Sequence, residues 1–241
     1  MTRGPRVVSL VPSVTETLLA WGVTPIAVTR FCEHPELPAV GGTKNPDVDE
    51  ITRLAPDLVV MNDEENRKED ADALLAAGLD LVVLTVESVA DVDPALDKLA
   101  AAIGIPSPRS GQQIAHQGVQ SAGQNTEGER IRAFVPIWRR PWMTMNGSTY
   151  GSSLLDAIGI GNVFADSDDR YPTTTLEEVA ALHPDVVLAP SEPYVFTQKH
   201  VPELSAVAPV ELVDGQDLFW WGARTPQAIE RLRARLERIG P

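Results

Sequence analysis

SPRSGQQIAHQGVQSAGQNTEGE, residues Ser107 to Glu129, decides how this chain is divided, because similar sequence patterns lie on either side of it. Ile114, Gly118 and Val119 form one narrow apolar stripe at helical spacing. Ser107 or Ser110 can cap the start, and Gly123, Asn125 and Gly128 supply the end. Some twenty residues of helix span roughly 30 Å at about 1.5 Å per residue, long enough for a strut between two lobes. A surface helix of one domain fits the stretch equally well by itself. What separates the two readings is a repeat.

Asp49 to Val59 (DEITRLAPDLV) aligns without a gap on Glu177 to Val187 (EEVAALHPDVV) at a constant offset of 128 residues. Acid, apolar and Pro-Asp positions stay in register. Upstream, Glu16 to Val23 resembles Ser153 to Ile160, with Gly22 and Gly159 137 residues apart, so the second copy carries about nine extra residues between the two blocks. A Leu-x-Pro-Asp phrase serves many helix-to-strand junctions, yet eleven consecutive matched positions favour an internal duplication.

Each copy alternates short β-branched runs with helical segments of about ten residues, the pattern of a parallel sheet with crossover helices. Strands are expected at 6–11, 26–29, 58–61, 81–84, 133–137 and 184–188. Helices are expected from Ser13, with Ser13 and Glu16 as a capping box, and at 47–54, 69–77, 96–103, 151–158 and 176–182. The fold class is therefore α/β, with two Rossmann-like parallel-sheet lobes at 1–90 and 130–241. The connecting segment, 91–129, contains the linker helix at about 107–127.

With 34 acidic against 20 basic residues the formal charge is −14, which makes nucleic acid and anionic membrane surfaces poor partners. No apolar run approaches a membrane span. Cys32 is the single cysteine, so no intramolecular disulfide forms. The chain as given enters its first strand almost at once, without an apolar leader or cleavage site. It is therefore expected in the cytoplasm as written, or outside it if the sequence is a trimmed mature form. A monomer is expected.

In parallel α/β units, ligands sit beyond the carboxyl ends of the strands. Trp138, Trp142, Trp220, Trp221, Tyr171 and Tyr194 all fall in such loops, although only 5% of the chain is aromatic. They are expected to wall a large flat apolar ligand, or else to pack one lobe on the other. The loop Arg30 to Pro35 adds Phe31 and His34. Cys32-x-His34 lacks the second ligand pair of a structural zinc site, and no metal site is assigned. His34 is a candidate axial donor to a metal already chelated by the ligand. Nucleotide-binding and nucleophile-elbow motifs are absent from the sequence, so no catalytic residue and no intrinsic cofactor are expected, and the chain is expected to bind rather than catalyse.

Arg6 to Glu16 (RVVSLVPSVTE), Val40-Gly41-Gly42-Thr43 through Pro56-Asp57-Leu58-Val59, and Gly161 to Asp166 (GNVFAD) resemble the substrate-binding proteins of ABC importers for cobalamin, haem and ferric siderophores, and within them the cobalamin-binding branch. The resemblance runs through nearly the whole chain. It implies two lobes on a helical backbone and a metal-chelate ligand, a corrinoid first. The alternatives are an intracellular corrinoid or haem carrier, a ferric siderophore-binding protein and, last, an enzyme on the same scaffold. It also implies ligand contacts at Pro12, Ser13, Tyr171, Trp220 and Trp221, and an ABC permease that docks through Asp49 and Glu177. Thr43 stands where the cobalamin-binding branch carries a tryptophan.

Overall fold

The computed structural model describes residues 4–107 and 130–236 of the 241-residue chain. The expected linker helix lies outside the described residues from 108 onward. The described residues form two compact units, the first of 4–86, 90–107 and 221–223, the second of 87–89, 130–220 and 224–236.

In the first unit, β1 (Val7–Ser9), β2 (Ala27–Val28), β5 (Leu58–Asn62) and β6 (Leu81–Leu84) form a parallel sheet in the order β2-β1-β5-β6. A small antiparallel ribbon of β3 (Gly41–Gly42) and β4 (Asn45–Pro46) lies outside it. Helices α1 (Pro12–Ala20), α2 (Val48–Leu54), α3 (Lys68–Ala76) and α4 (Val89–Ala102) make the connections. Val7, Val8, Val59 and Val60 are all fully buried, as strands covered on both faces require. Ile51 of α2 and Leu74 of α3 close the core over Val8, Leu10, Val59 and Met61.

The second unit repeats this plan. Its strands β7 (Arg132–Phe134), β9 (Gly161–Asn162), β11 (Val186–Pro190) and β12 (Val210–Val213) pair in parallel as β9-β7-β11-β12, the same order as in the first sheet. The ribbon is here β8 (Trp142–Met143) with β10 (Thr173–Thr174). Helices α5 (Tyr150–Ala157), α6 (Leu176–Ala181), α7 (Val201–Leu204), α8 (Gly215–Phe219) and α9 (Thr225–Leu236) complete it, with a 3-10 turn at Gln198–His200. Phe134, Val179, Val187 and Leu204 fill the core.

The repeated Pro-Asp phrase has a mechanical basis. Asp57 accepts the Arg6 backbone N–H at 2.7 Å, and the Asp57 N–H donates to the Arg6 carbonyl at 2.8 Å. Asp185 and Arg132 make the same pair of bonds at the same two distances. The residues before the prolines, Ala55 and His183, are both left-handed, with φ of 45° and 49°. In each unit the phrase thus ties the entry of one strand to the entry of its neighbour.

Three expectations are corrected. The capping box of Ser13 and Glu16 does not form: α1 begins at Pro12 with Val11 as N-cap and no side-chain cap, because proline needs no N–H acceptor in the first turn. Helix α4, expected at 96–103, starts seven residues earlier at Val89 and runs through Pro94. The strand expected to reach Ile137 stops at Phe134, and Pro136, which has no N–H for a ladder, follows it. Among the described residues no helix is long and apolar enough to cross a membrane.

Candidate functional site

Several candidate residues follow the carboxyl ends of strands within their unit, whereas Trp142 lies in β8 itself and Trp220 and Trp221 follow α8. In the first unit, Pro12 and Ser13 open α1 directly after β1, and both are buried. The Ser13 hydroxyl, 2% exposed, has no hydrogen-bond partner. Behind it a polar chain fixes the loop: Thr15 Oγ1 lies 2.9 Å from Ser9 Oγ and accepts from Cys32 Sγ at 3.3 Å. His34 Nδ1 sits 3.0 Å from Glu36 Oε1. That contact, after a larger effect from its own backbone N–H, holds the Glu36 carboxyl below the usual range. No three His, Cys, Asp or Glu side chains among the described residues group as metal ligands. Phe31 stands out from the loop, 54% exposed, with the Arg30 guanidinium 5.1 Å from its ring centre.

The second unit carries most of the aromatics. Trp138 meets Tyr194 edge-on at 5.5 Å, Tyr194 tilts against Phe196 at 4.8 Å, and Phe196 stacks on Trp142 at 6.1 Å with 9° between planes. Trp142 and Tyr194 pack on the core and support this line of rings, whose open end is Trp138, 46% exposed. Beneath them His200, 3% exposed, accepts the Thr197 N–H through Nδ1 at 3.0 Å and so closes the 3-10 turn. Burial pushes its pKa down, as do the charges of Lys199 and Arg139, against an opposing Glu203.

Tyr171 and Trp220 stand apart from this line. Each has an arginine over its face: Arg170 at 6.0 Å from the Tyr171 ring centre and Arg224 at 5.3 Å from that of Trp220. Trp220 is half-buried at the end of α8, whereas Trp221, 4% exposed, turns inward and belongs to the first unit. Sequence reading took the two tryptophans as one pair. It also missed Asp217, Arg224 and Arg231, an ion-pair cluster of which Arg224 lies over Trp220, because they come from α8, the turn before α9 and α9 itself, which no local pattern connects.

Asp49 and Glu177 occupy equivalent places. Asp47 caps α2 by accepting the Glu50 N–H, and Thr175 caps α6 by accepting the Glu178 N–H, so both acids are the second helical residue after a cap. Both are exposed. An acid there is favoured by the helix dipole.

The model of the periplasmic binding protein family matches residues 7–201, most of the chain. The chain belongs to the periplasmic binding protein family. Membership makes it a binding protein rather than an enzyme, in line with the sequence expectation. The vitamin B12-binding protein of Yersinia pestis (strain Pestoides F) is 30% identical over 213 residues, 83% of this chain and 73% of the relative. That of Salmonella typhimurium (strain LT2) is 30% identical over 195 residues, 76% and 71% of the two chains. Among solved structures, the periplasmic vitamin B12 binding protein of Vibrio cholerae superposes with a TM-score of 0.78 at 22% identity, covering 98% of both chains. A periplasmic haem-binding protein of Pseudomonas aeruginosa gives 0.79 at 20% identity, covering 99% of this chain and 95% of the other. At such identities the two structures establish a shared α/β fold.

Proposed function

We propose that this chain captures a large metal chelate, a corrinoid first, outside the cytoplasmic membrane and delivers it to an ABC importer. The observation that carries the reading is the 30% identity to vitamin B12-binding proteins through 83% of the chain. The aromatic loops support it: Trp138, Tyr171 and Trp220 offer broad rigid surfaces that bury area with little rotamer loss. Pro12, Ser13, Phe31 and His34 line the corresponding loops of the first unit, and the unpartnered Ser13 hydroxyl provides a polar group for a ligand. Asp49 and Glu177 are assigned to docking, since exposed acids at equivalent helix starts suit cationic side chains of a permease. The two lobes at 1–90 and 130–241, joined through 91–129, remain part of the proposal.

A second reading is haem. Thr43 stands where the cobalamin-binding branch carries a tryptophan, and a haem-binding protein shares the fold at a TM-score of 0.79. Visible absorption titration with cyanocobalamin, haemin and a ferric hydroxamate siderophore tests both. Stoichiometric binding of cyanocobalamin in preference to the others supports the first reading, preference for haemin supports the second, and chemical conversion of any of them contradicts both.

A further inference from the structure

Among the described residues, Arg224 is held by groups from one short stretch of chain. Its guanidinium donates to Gln216 Oε1 at 3.1 Å and to Asp217 Oδ1 at 3.4 Å, and it lies 5.3 Å from the centre of the Trp220 ring. Gln216, Asp217 and Trp220 all belong to α8 or its cap, and the Trp220 N–H closes the helix on the Gln216 carbonyl. Asp217 is 4% exposed. A carboxylate so deeply placed is tolerated when paired, and here Arg231 of α9 supplies a fork, with Nε at 2.7 Å from Oδ2 and a second bond to Oδ1.

The start of α9 is anchored independently. The Tyr150 hydroxyl lies 3.0 Å from Thr225 Oγ1 with both groups buried, and burial pushes the Tyr150 phenol well above its usual pKa, so it stays neutral. Arg224 therefore leaves a fixed point and has its planar end oriented by Asp217 and Gln216. A cation held over an indole face restrains the ring in turn.

We propose that Asp217 is the positioning residue of the Trp220 ring, acting through Arg224, while the separate fork from Arg231 to the same carboxylate stabilises the packing of α9 on α8. Its bearing on binding rests on the reading of Trp220 as a ligand contact. The physical claim concerns the ligand-free protein. The restraint replaces the packing that a buried tryptophan would have and presets a half-exposed ring before any ligand arrives.

The test is near-ultraviolet circular dichroism of the ligand-free protein, with the Trp220 signal defined as wild type minus Trp220→Phe. Asp217→Asn and Arg224→Met are expected to lose that signal. Arg231→Met is expected to retain it while lowering the thermal midpoint, because it weakens the cluster without releasing Arg224. Persistence of the signal in either of the first two variants overturns the proposal, as does equal loss in Arg231→Met, which marks a general loosening. If Asp217→Asn does not fold, the contrast between Arg224→Met and Arg231→Met decides on the same terms. Haemin and cyanocobalamin titration of Trp220→Ala separately decides whether the ring contacts ligand, so failure of that reading is distinct from failure of the positioning claim.

Discussion

Asp57 and Asp185, 128 residues apart, make the same hydrogen bond: each accepts, at 2.7 Å, the backbone N–H of an arginine that enters the neighbouring strand. The bonds are charge-assisted but solvent-exposed. Asp57→Ala and Asp185→Ala are each expected to destabilise the protein by about 1 kcal/mol, with effects that add, since the sites share no partner. Urea unfolding of the two single variants and the double variant measures this.

Gly215 is placed by close approach. A Cβ there would lie 2.5 Å from the Glu192 backbone nitrogen and 2.9 Å from its carbonyl oxygen, and the Gly215 N–H donates to Ser191 Oγ at 2.9 Å. Gly215→Ala is expected to cost about 1–3 kcal/mol through overpacking. It also displaces α8, so the Trp220 fluorescence of the folded variant should shift. A variant as stable as wild type would show that the contact relaxes freely.

His200 gives the fold a dependence on acid. Its folded pKa lies below the ordinary value of about 6.5, so in acid the unfolded chain takes up a proton that the folded chain resists. The stabilising effect is complete above pH ~6.5 and is lost as pH falls below it toward the folded pKa. Protonation also removes the Nδ1 lone pair that accepts the Thr197 N–H. In thermal melts from pH 7.5 to 5, His200→Gln is expected to be less stable at the upper end and to show a shallower decline than wild type. Parallel profiles would remove His200 from the account.

Asp49 and Glu177 are predicted to serve the partner and not the ligand. Reversing both to lysine is expected to leave chelate affinity unchanged and to weaken docking to the cognate permease, with a difference that shrinks as salt rises. A fall in ligand affinity, or docking equal to wild type, would leave the two acids as favourable helix-start residues only.

The fold was largely legible because its signals are local and doubled. Buried β-branched runs, helix stops at Gly22 and Gly159, and the Pro-Asp phrase each report their structure within a few residues, and the second copy repeats the first. The start of α1 was misread because Ser13 and Glu16 have capping-box spacing, yet Pro12 occupies the first turn. The site was less legible. Trp220 and Trp221 are indistinguishable in sequence, but one is half-exposed under Arg224 and the other is buried. Trp142 and Tyr194 share the loop signature of Trp138 and turn out to be propped on a core. Asp217, Arg224 and Arg231 meet only once α8 and α9 have packed, and the role of His200 depends on a turn that has no periodicity to announce it.

The central claim, that the chain binds a metal chelate through an aromatic surface that includes Trp220, is tested most directly by absorption titration of wild type and Trp220→Ala with cyanocobalamin and haemin. The account predicts one-to-one binding of one of the two chelates, recovered unaltered on release, and a loss of roughly 2 kcal/mol or more in the variant, as for a binding hot spot. Failure of the wild-type protein to bind either chelate, or equal affinity in the variant, would contradict it.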